Sequence, residues 1–246
     1  MKFSKWYLWL TLLLAAVSFS FYLAQVLIFR KPQDTFFYML QDLAFVPVQV
    51  LLVTLILNDL MARREKKALL NKMNMVIGAF FSEAGTELMV HLTKFDRNAP
   101  ELRSLLKIGS GWNENNFKQG RQKLMSQNHA IDPRSGDLAI LNEFLSAKRS
   151  FLLSLLENQN LLEHQSFTEL LWAVSHLTEE LKLRSNFDKL PESDLAHLSG
   201  DIKRAYVLLL AEWLEYVKHL KSAYPYIYSL VIRSNPLDPD ASVMVK

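Results

Sequence analysis

Two stretches of this chain set carboxylates and an imidazole at helical spacing. Glu83, Glu87 and His91 fall four residues apart, which places all three on one face of a helix. Glu212, Glu215 and His219 repeat the theme, with Glu215 and His219 four apart. Carboxylates and histidines projecting inward from facing helices are how helical bundles hold iron or manganese. Those carboxylate-bridged sites use Glu-x-x-His, whereas both stretches here read Glu-x-x-x-His, and a solvent-facing polar stripe gives the same pattern. The six residues are candidate metal ligands on that footing, and no cofactor is expected. The remaining histidines, His129, His164, His176 and His197, show no ligand spacing. Asp194 and His197 are three apart in the first turns of a helix, where an aspartate favours the helix dipole.

Other chemistries are absent from the sequence. There is no cysteine, which excludes disulfides, thiolate metal sites and cysteine nucleophiles. No nucleophile elbow, phosphate-binding glycine loop or dinucleotide fingerprint occurs. Ser110-Gly111-Trp112 reads as a turn. The net charge of +3 is too small and too dispersed for a nucleic-acid face.

The elements that would carry these residues divide the chain in two. Residues 1–60 contain four basic and three acidic side chains, leaving 24 and 22 for the remainder. Trp6 to Phe29 has no charge and as a helix extends about 36 Å, enough to cross a hydrocarbon core of about 30 Å. Trp6, Tyr7 and Trp9 form an aromatic belt at its start. A cleaved signal peptide, with Ala16-Val17-Ser18 as the cleavage site, is the competing reading, but the apolar run exceeds a signal core. A second span is expected over 36–58, with Phe36, Phe37 and Tyr38 as its belt. Gln41, Asp42 and Gln49 are polar residues within it. An intramembrane carboxylate faces a pore, a partner or the interface, and for Asp42 the outer headgroup level is the simplest place. Pro47 adds a kink. Arg30–Thr35, with Pro32, is a short connection, so the spans form a transmembrane hairpin over 1–62.

Arg63, Arg64, Lys66 and Lys67 follow the second span. With Lys2 and Lys5 they place both termini in the cytoplasm under the positive-inside rule, and they suit anionic lipid headgroups. Residues 63–232 are expected to be a helical cytoplasmic domain, and 233–246 an extended or disordered tail. The fold class is all-α: the hairpin followed by an antiparallel bundle. No break is evident from the second span to about residue 95, where Leu69, Met73, Ile77, Phe80, Ala84, Leu88 and Leu92 recur in steps of three and four. Pro100 and Glu101 read as the first turn of a short helix capped near Asn98 and leading through Leu105-Leu106. Gly109, Gly111, Gly120, Pro133 and Gly136 mark the least regular part, with a turn at Asp132-Pro133-Arg134-Ser135-Gly136. Three helices follow. The first covers 137–163, with Leu162 on its stripe. The second starts at Ser166 with a Ser166/Glu169 capping box. The third runs from near Pro191 until Pro225 ends or kinks it. Tyr224–Ile232 is expected to dock on the bundle or at the membrane interface.

Gln41–Leu57 followed by Arg63–Lys67, the run Asn74–Glu83, and His219–Tyr226 resemble a group of prokaryotic two-span inner-membrane proteins. The resemblance implies a bacterial or archaeal plasma membrane and brings no activity with it. The expected role is non-enzymatic: a membrane-anchored interaction or sensor domain. Its partners would be the lipid bilayer and a second copy or another membrane protein, with no nucleic acid. The rivals are an oligomeric transport protein whose pore is lined by Asp42 and Gln49, and a membrane-tethered metalloenzyme.

Overall fold

The computed structural model describes residues 5–158, 161 and 164–244; Lys2 and Leu162 lie outside them. Among the described residues the regular structure is helical, apart from one isolated bridge between Asp96 and Ile131. It divides into two compact units, Met1–Lys66 and Lys67–Lys246.

The first unit holds α1 (Lys5–Phe29) and the first part of α2 (Pro32–Phe80). The second helix starts four residues before the expected span. Proline at a first helical position has its fixed φ already suited to the helix and no N–H to satisfy. The connection is thereby cut to Arg30 and Lys31, and Arg30 makes the reversal with a φ of 51°. The Tyr22 hydroxyl donates to Asp42 Oδ2 at 3.2 Å, so the two helices run antiparallel beside each other there. Both helices are long and apolar enough to cross a membrane, with mean hydropathies of 2.2 and 2.0 in their apolar stretches. None of either stretch is buried inside the protein.

The second unit follows the opposite rule and closes on itself. Continuing α2 supplies Met73, Ile77 and Phe80 to a core. The helix expected to run unbroken to residue 95 does continue, but with a π-turn at Phe81–Gly85 before α3 (Thr86–Thr93). The wider turn allows Phe80 and Phe81, adjacent in sequence, both to be buried. Phe80 packs edge-on against Phe167, and Phe81 stacks on Tyr216. Gly85 is needed here, since a Cβ would lie 2.6 Å from the Phe80 ring. Thr86 closes the turn by donating from Oγ1 to the Phe81 carbonyl.

Helices α4 (Ala99–Leu105), α5 (Glu114–Ser126) and α6 (Leu138–Leu156) follow. The second of these lies in the region expected to be irregular. Its Asn113 and Asn116 side chains cap each other's backbone N–H groups. Gly120 lies in its interior, facing Trp112 and Leu214 at ordinary contact distance. Asp137 caps the third through the Ile140 N–H.

Helix α7 (Gln165–Lys182) begins differently from expectation. His164 is its N-cap, and its Nδ1 accepts from the Phe167 N–H at 3.2 Å, so Ser166 lies already inside the helix. Helix α8 (Glu192–Ala223) packs against α3, α5 and α7, burying a face that runs from Leu195 through Tyr206 and Trp213 to Leu220. Pro225 ends it and opens α9 (Pro225–Arg233), which docks on α8 with the Tyr228 hydroxyl donating to the Gly109 carbonyl. The tail beyond is seated rather than loose. Leu237 is fully buried, the Asn235 amide donates to the Leu106 carbonyl, and Lys107 reaches Asp238 and Asp240.

One buried polar group ties the turn after α3 to the connection between α5 and α6. Asp96 Oδ1 accepts from the backbone N–H groups of Asn98 and Ala130, and Oδ2 faces His129 Nδ1 at 3.2 Å. The other nitrogen of that ring meets the Leu124 carbonyl at 3.0 Å. Both side chains are shut off from water. Replacing Asp96 by alanine leaves two N–H groups and an imidazole buried without their acceptor. We expect Asp96→Ala to lose about 3–5 kcal/mol in denaturant titration, and Arg97→Ala, at an exposed ion pair, to lose far less.

Candidate functional sites

The two predicted Glu/His stripes address different neighbours. Glu83 receives Lys148 of α6 at 2.7 Å. Glu87 lies 4.0 Å from His91, whose ring packs against Phe144 of the same helix. Burial lowers the pKa of His91, aided by Lys94. Glu83 and His91 thus lean on α6, Glu87 faces His91, and none of them joins the other three.

Glu212, Glu215 and His219 do share a place. They line a cavity of about 490 Å³ with Asn74, Arg121, His164 and Ser166. The His164 cap brings the first turn of α7 over this part of α8. The Asn74 amide meets His219 Nδ1 at 3.2 Å, and Arg121 lies 3.5 Å from Glu215. Glu212 is the buried member. Burial pushes its carboxyl above the ordinary range, against the opposing pull of the Ser166 hydroxyl and the His164 imidazole. Burial also lowers the pKa of His219. This is a polar hollow with one buried acid on its wall.

A further assembly was not visible as ligand spacing in the sequence. His176 and Glu180 are one turn apart on α7, and His197 and Asp201 are one turn apart on α8. The antiparallel packing of these helices brings all four together, with one ligand atom from each within 4.8 Å of the others. Asp201 Oδ2 lies 3.3 Å from the Nε2 atoms of both histidines. Glu180 approaches the same two nitrogens at 3.8 and 3.6 Å. Arg184 binds Glu180 and grips Asp194 with both Nε and a terminal nitrogen, so Asp194 is an arginine partner as well as a helix-start acid. That guanidinium holds both carboxyls below their ordinary range. Arg204 donates to Asp201 Oδ1 at 3.2 Å. The signal in the sequence was His-x-x-x-acid, repeated on consecutive amphipathic helices.

In the first unit, Asp42 has Tyr22 as its partner, and Gln41 and Gln49 are exposed without a side-chain partner among the described residues. Arg63, Arg64, Lys66 and Lys67 are exposed, and Arg63 pairs with Asp59 at 2.8 Å.

A family model described as the C-terminal helical domain of uncharacterized protein MJ1433 matches residues 69–233, and one described as the MJ1433 N-terminal helical domain matches residues 2–61. The chain belongs to the MJ1433 family. Over 238 residues it is 44% identical to "Uncharacterized protein MJ1433" of Methanocaldococcus jannaschii, covering 97% of this chain and 96% of that one. No solved structure matches it. The two MJ1433 matches part between residues 61 and 69, the same stretch in which the two compact units meet.

The raised Glu212 carboxyl has a testable sign. A folded-state pKa above the unfolded one means the folded chain holds the extra proton. Its contribution to stability is then present below the ordinary value of 4.5 and is lost as pH rises through the raised value. Glu212→Gln keeps a neutral group at every pH. The melting temperature of the variant minus that of the parent should therefore grow as pH is raised from 4 to 8. A difference that stays constant over that range would show that Glu212 ionises normally.

Proposed function

We propose that this MJ1433-family protein is a membrane-anchored helical sensor or interaction protein. The two N-terminal helices sit in the bilayer, both termini lie in the cytoplasm, and the α3–α9 unit is the reading module. The observation that carries this is the contrast in burial. No residue in the apolar stretches of α1 and α2 is buried, while the second unit encloses Phe80, Phe95, Phe167, Tyr206 and leucines such as Leu141, Leu170 and Leu209 completely. Exposed apolar patches beyond a few hundred Å² mark a surface that another phase or partner covers. Length matches the task, since 22 apolar residues make about 33 Å of helix. Arg63, Arg64, Lys66 and Lys67 follow within a turn or two of the apolar stretch and favour the cytoplasmic leaflet.

The polar residues of α2 fit association with a second copy or another membrane protein. Gln41 and Gln49 have amides to satisfy, and in hydrocarbon a partner helix is the available source of hydrogen bonds. The Tyr22–Asp42 bond occupies the carboxylate within one hairpin, which favours a structural role for it over a pore-lining one.

The lack of native cysteine makes the topology directly measurable. Single variants Lys31→Cys and Ser242→Cys should behave oppositely toward a membrane-impermeant maleimide in intact cells. Lys31→Cys should label, and Ser242→Cys should label only after permeabilisation. Equal labelling of both before permeabilisation would overturn the arrangement. In detergent, Gln41→Leu/Gln49→Leu should shift the chain toward smaller assemblies in light scattering. A parent that is already monomeric would remove self-association.

A further inference from the structure

We propose that His176, Glu180, His197 and Asp201 form a binding site for a divalent first-row transition metal, with zinc the best-fitting probe. The inference is independent of where the N-terminal helices reside, because all four residues belong to the α7–α8 pair.

Geometry is the first argument. Zinc bound by nitrogen and oxygen at about 2.0–2.1 Å in a tetrahedron sets its ligand atoms about 3.3–3.4 Å apart. Asp201 Oδ2 stands 3.3 Å from each histidine Nε2, and Glu180 brings Oε2 to 3.6 Å from the His197 nitrogen and Oε1 to 3.8 Å from the His176 nitrogen, with one ligand atom from each of the four residues within 4.8 Å of the others. One histidine and one carboxylate come from each helix, each pair one turn apart, so small rotamer adjustments tighten the set without moving the backbone.

The second argument is an orphan. The Asp201 side chain is only 5% exposed, and its Oδ2 has no hydrogen-bond partner although it points into the cluster. Two imidazoles flank that oxygen, yet neither ring is aligned to donate to it. Buried carboxylate oxygens are otherwise satisfied. A cation between the three groups supplies the missing partner, with both histidines neutral and ligating through Nε2.

The third argument is the surrounding charge. Arg204 takes the other oxygen of Asp201, and Arg184 takes Glu180 and Asp194. Such partners fix the orientation of ligating carboxylates. Three carboxylates against two guanidiniums leave one negative charge, which welcomes a dication. Two imidazoles favour zinc, iron, cobalt or nickel over magnesium and calcium. At 47% and 52% exposure, the histidine side chains leave the site open for metal to enter.

The test uses tag-free, full-length protein in detergent, stripped with a chelator and dialysed against zinc(II), cobalt(II) or magnesium(II). We expect close to one zinc per chain by elemental analysis and a cobalt(II) visible spectrum of four-coordinate intensity. Magnesium should not be retained. His176→Ala/His197→Ala should keep its helical circular dichroism, because both rings lie at the surface, and should weaken zinc binding by more than about a hundredfold. Asp201→Asn should weaken it at least about tenfold. His219→Ala and Glu87→Gln, outside the cluster, should bind as the parent does. Absence of stoichiometric zinc in the parent would overturn the proposal. So would zinc uptake undiminished in the folded double-histidine variant.

Discussion

Apolar surface in water must be covered, and this chain meets that demand internally in one of its two units and not in the other. In the second unit, helices cover one another. A buried leucine or phenylalanine gains about 1.5–3 kcal/mol by leaving water, and α8 collects such residues along its whole length, from Leu195 to Leu220. In the first unit, α1 and α2 leave Phe19, Phe21, Leu27, Leu43 and Leu51 more than half of the way to full exposure or close to it. Nothing inside the protein covers them. The proposed anchoring, the orientation of the basic run and the association through Gln41 and Gln49 all follow from that uncovered surface.

The same closure of the second unit positions its polar chemistry. Helix α8 carries both polar assemblies, His197 and Asp201 near its start and Glu212, Glu215 and His219 toward its end. Tyr206 lies between them, fully buried, with its hydroxyl on Thr93. Antiparallel packing places the last turns of α7 against the first turns of α8, which joins His176 to Asp201. The opposite end of α7 reaches α8 near Glu212, where His164 caps the helix. One helix pair therefore carries two polar assemblies at its two ends, and the π-turn at Phe81–Gly85 fits the incoming helix to the pair.

Much of this order is legible in the sequence, and the illegible parts share a cause. The steps of three and four in α8, with Pro191 before it and Pro225 after it, are local signals, and its bounds emerge as expected. The charge partition at residue 60 likewise marks the change between units. Helix α5 is hidden because its cap is an asparagine pair and because a glycine, Gly120, stands in its interior. The start of α7 is misplaced because an imidazole nitrogen can cap as a hydroxyl does, so His164 outcompetes Ser166. The four-residue cluster is invisible as a motif because half of it lies on each helix. Spacing shows His176–Glu180 and His197–Asp201, but only packing shows that they meet. The tail beyond Arg233 offers no periodicity, yet Leu237 finds a closed pocket once the bundle exists.

The central claim is that lipid covers α1 and α2. Extraction of cell membranes with alkaline carbonate tests it most directly. With lipid covering both helices, the full chain stays in the membrane pellet after carbonate and leaves it only with detergent. Release of the intact chain into the carbonate supernatant, monodisperse without detergent, would contradict it.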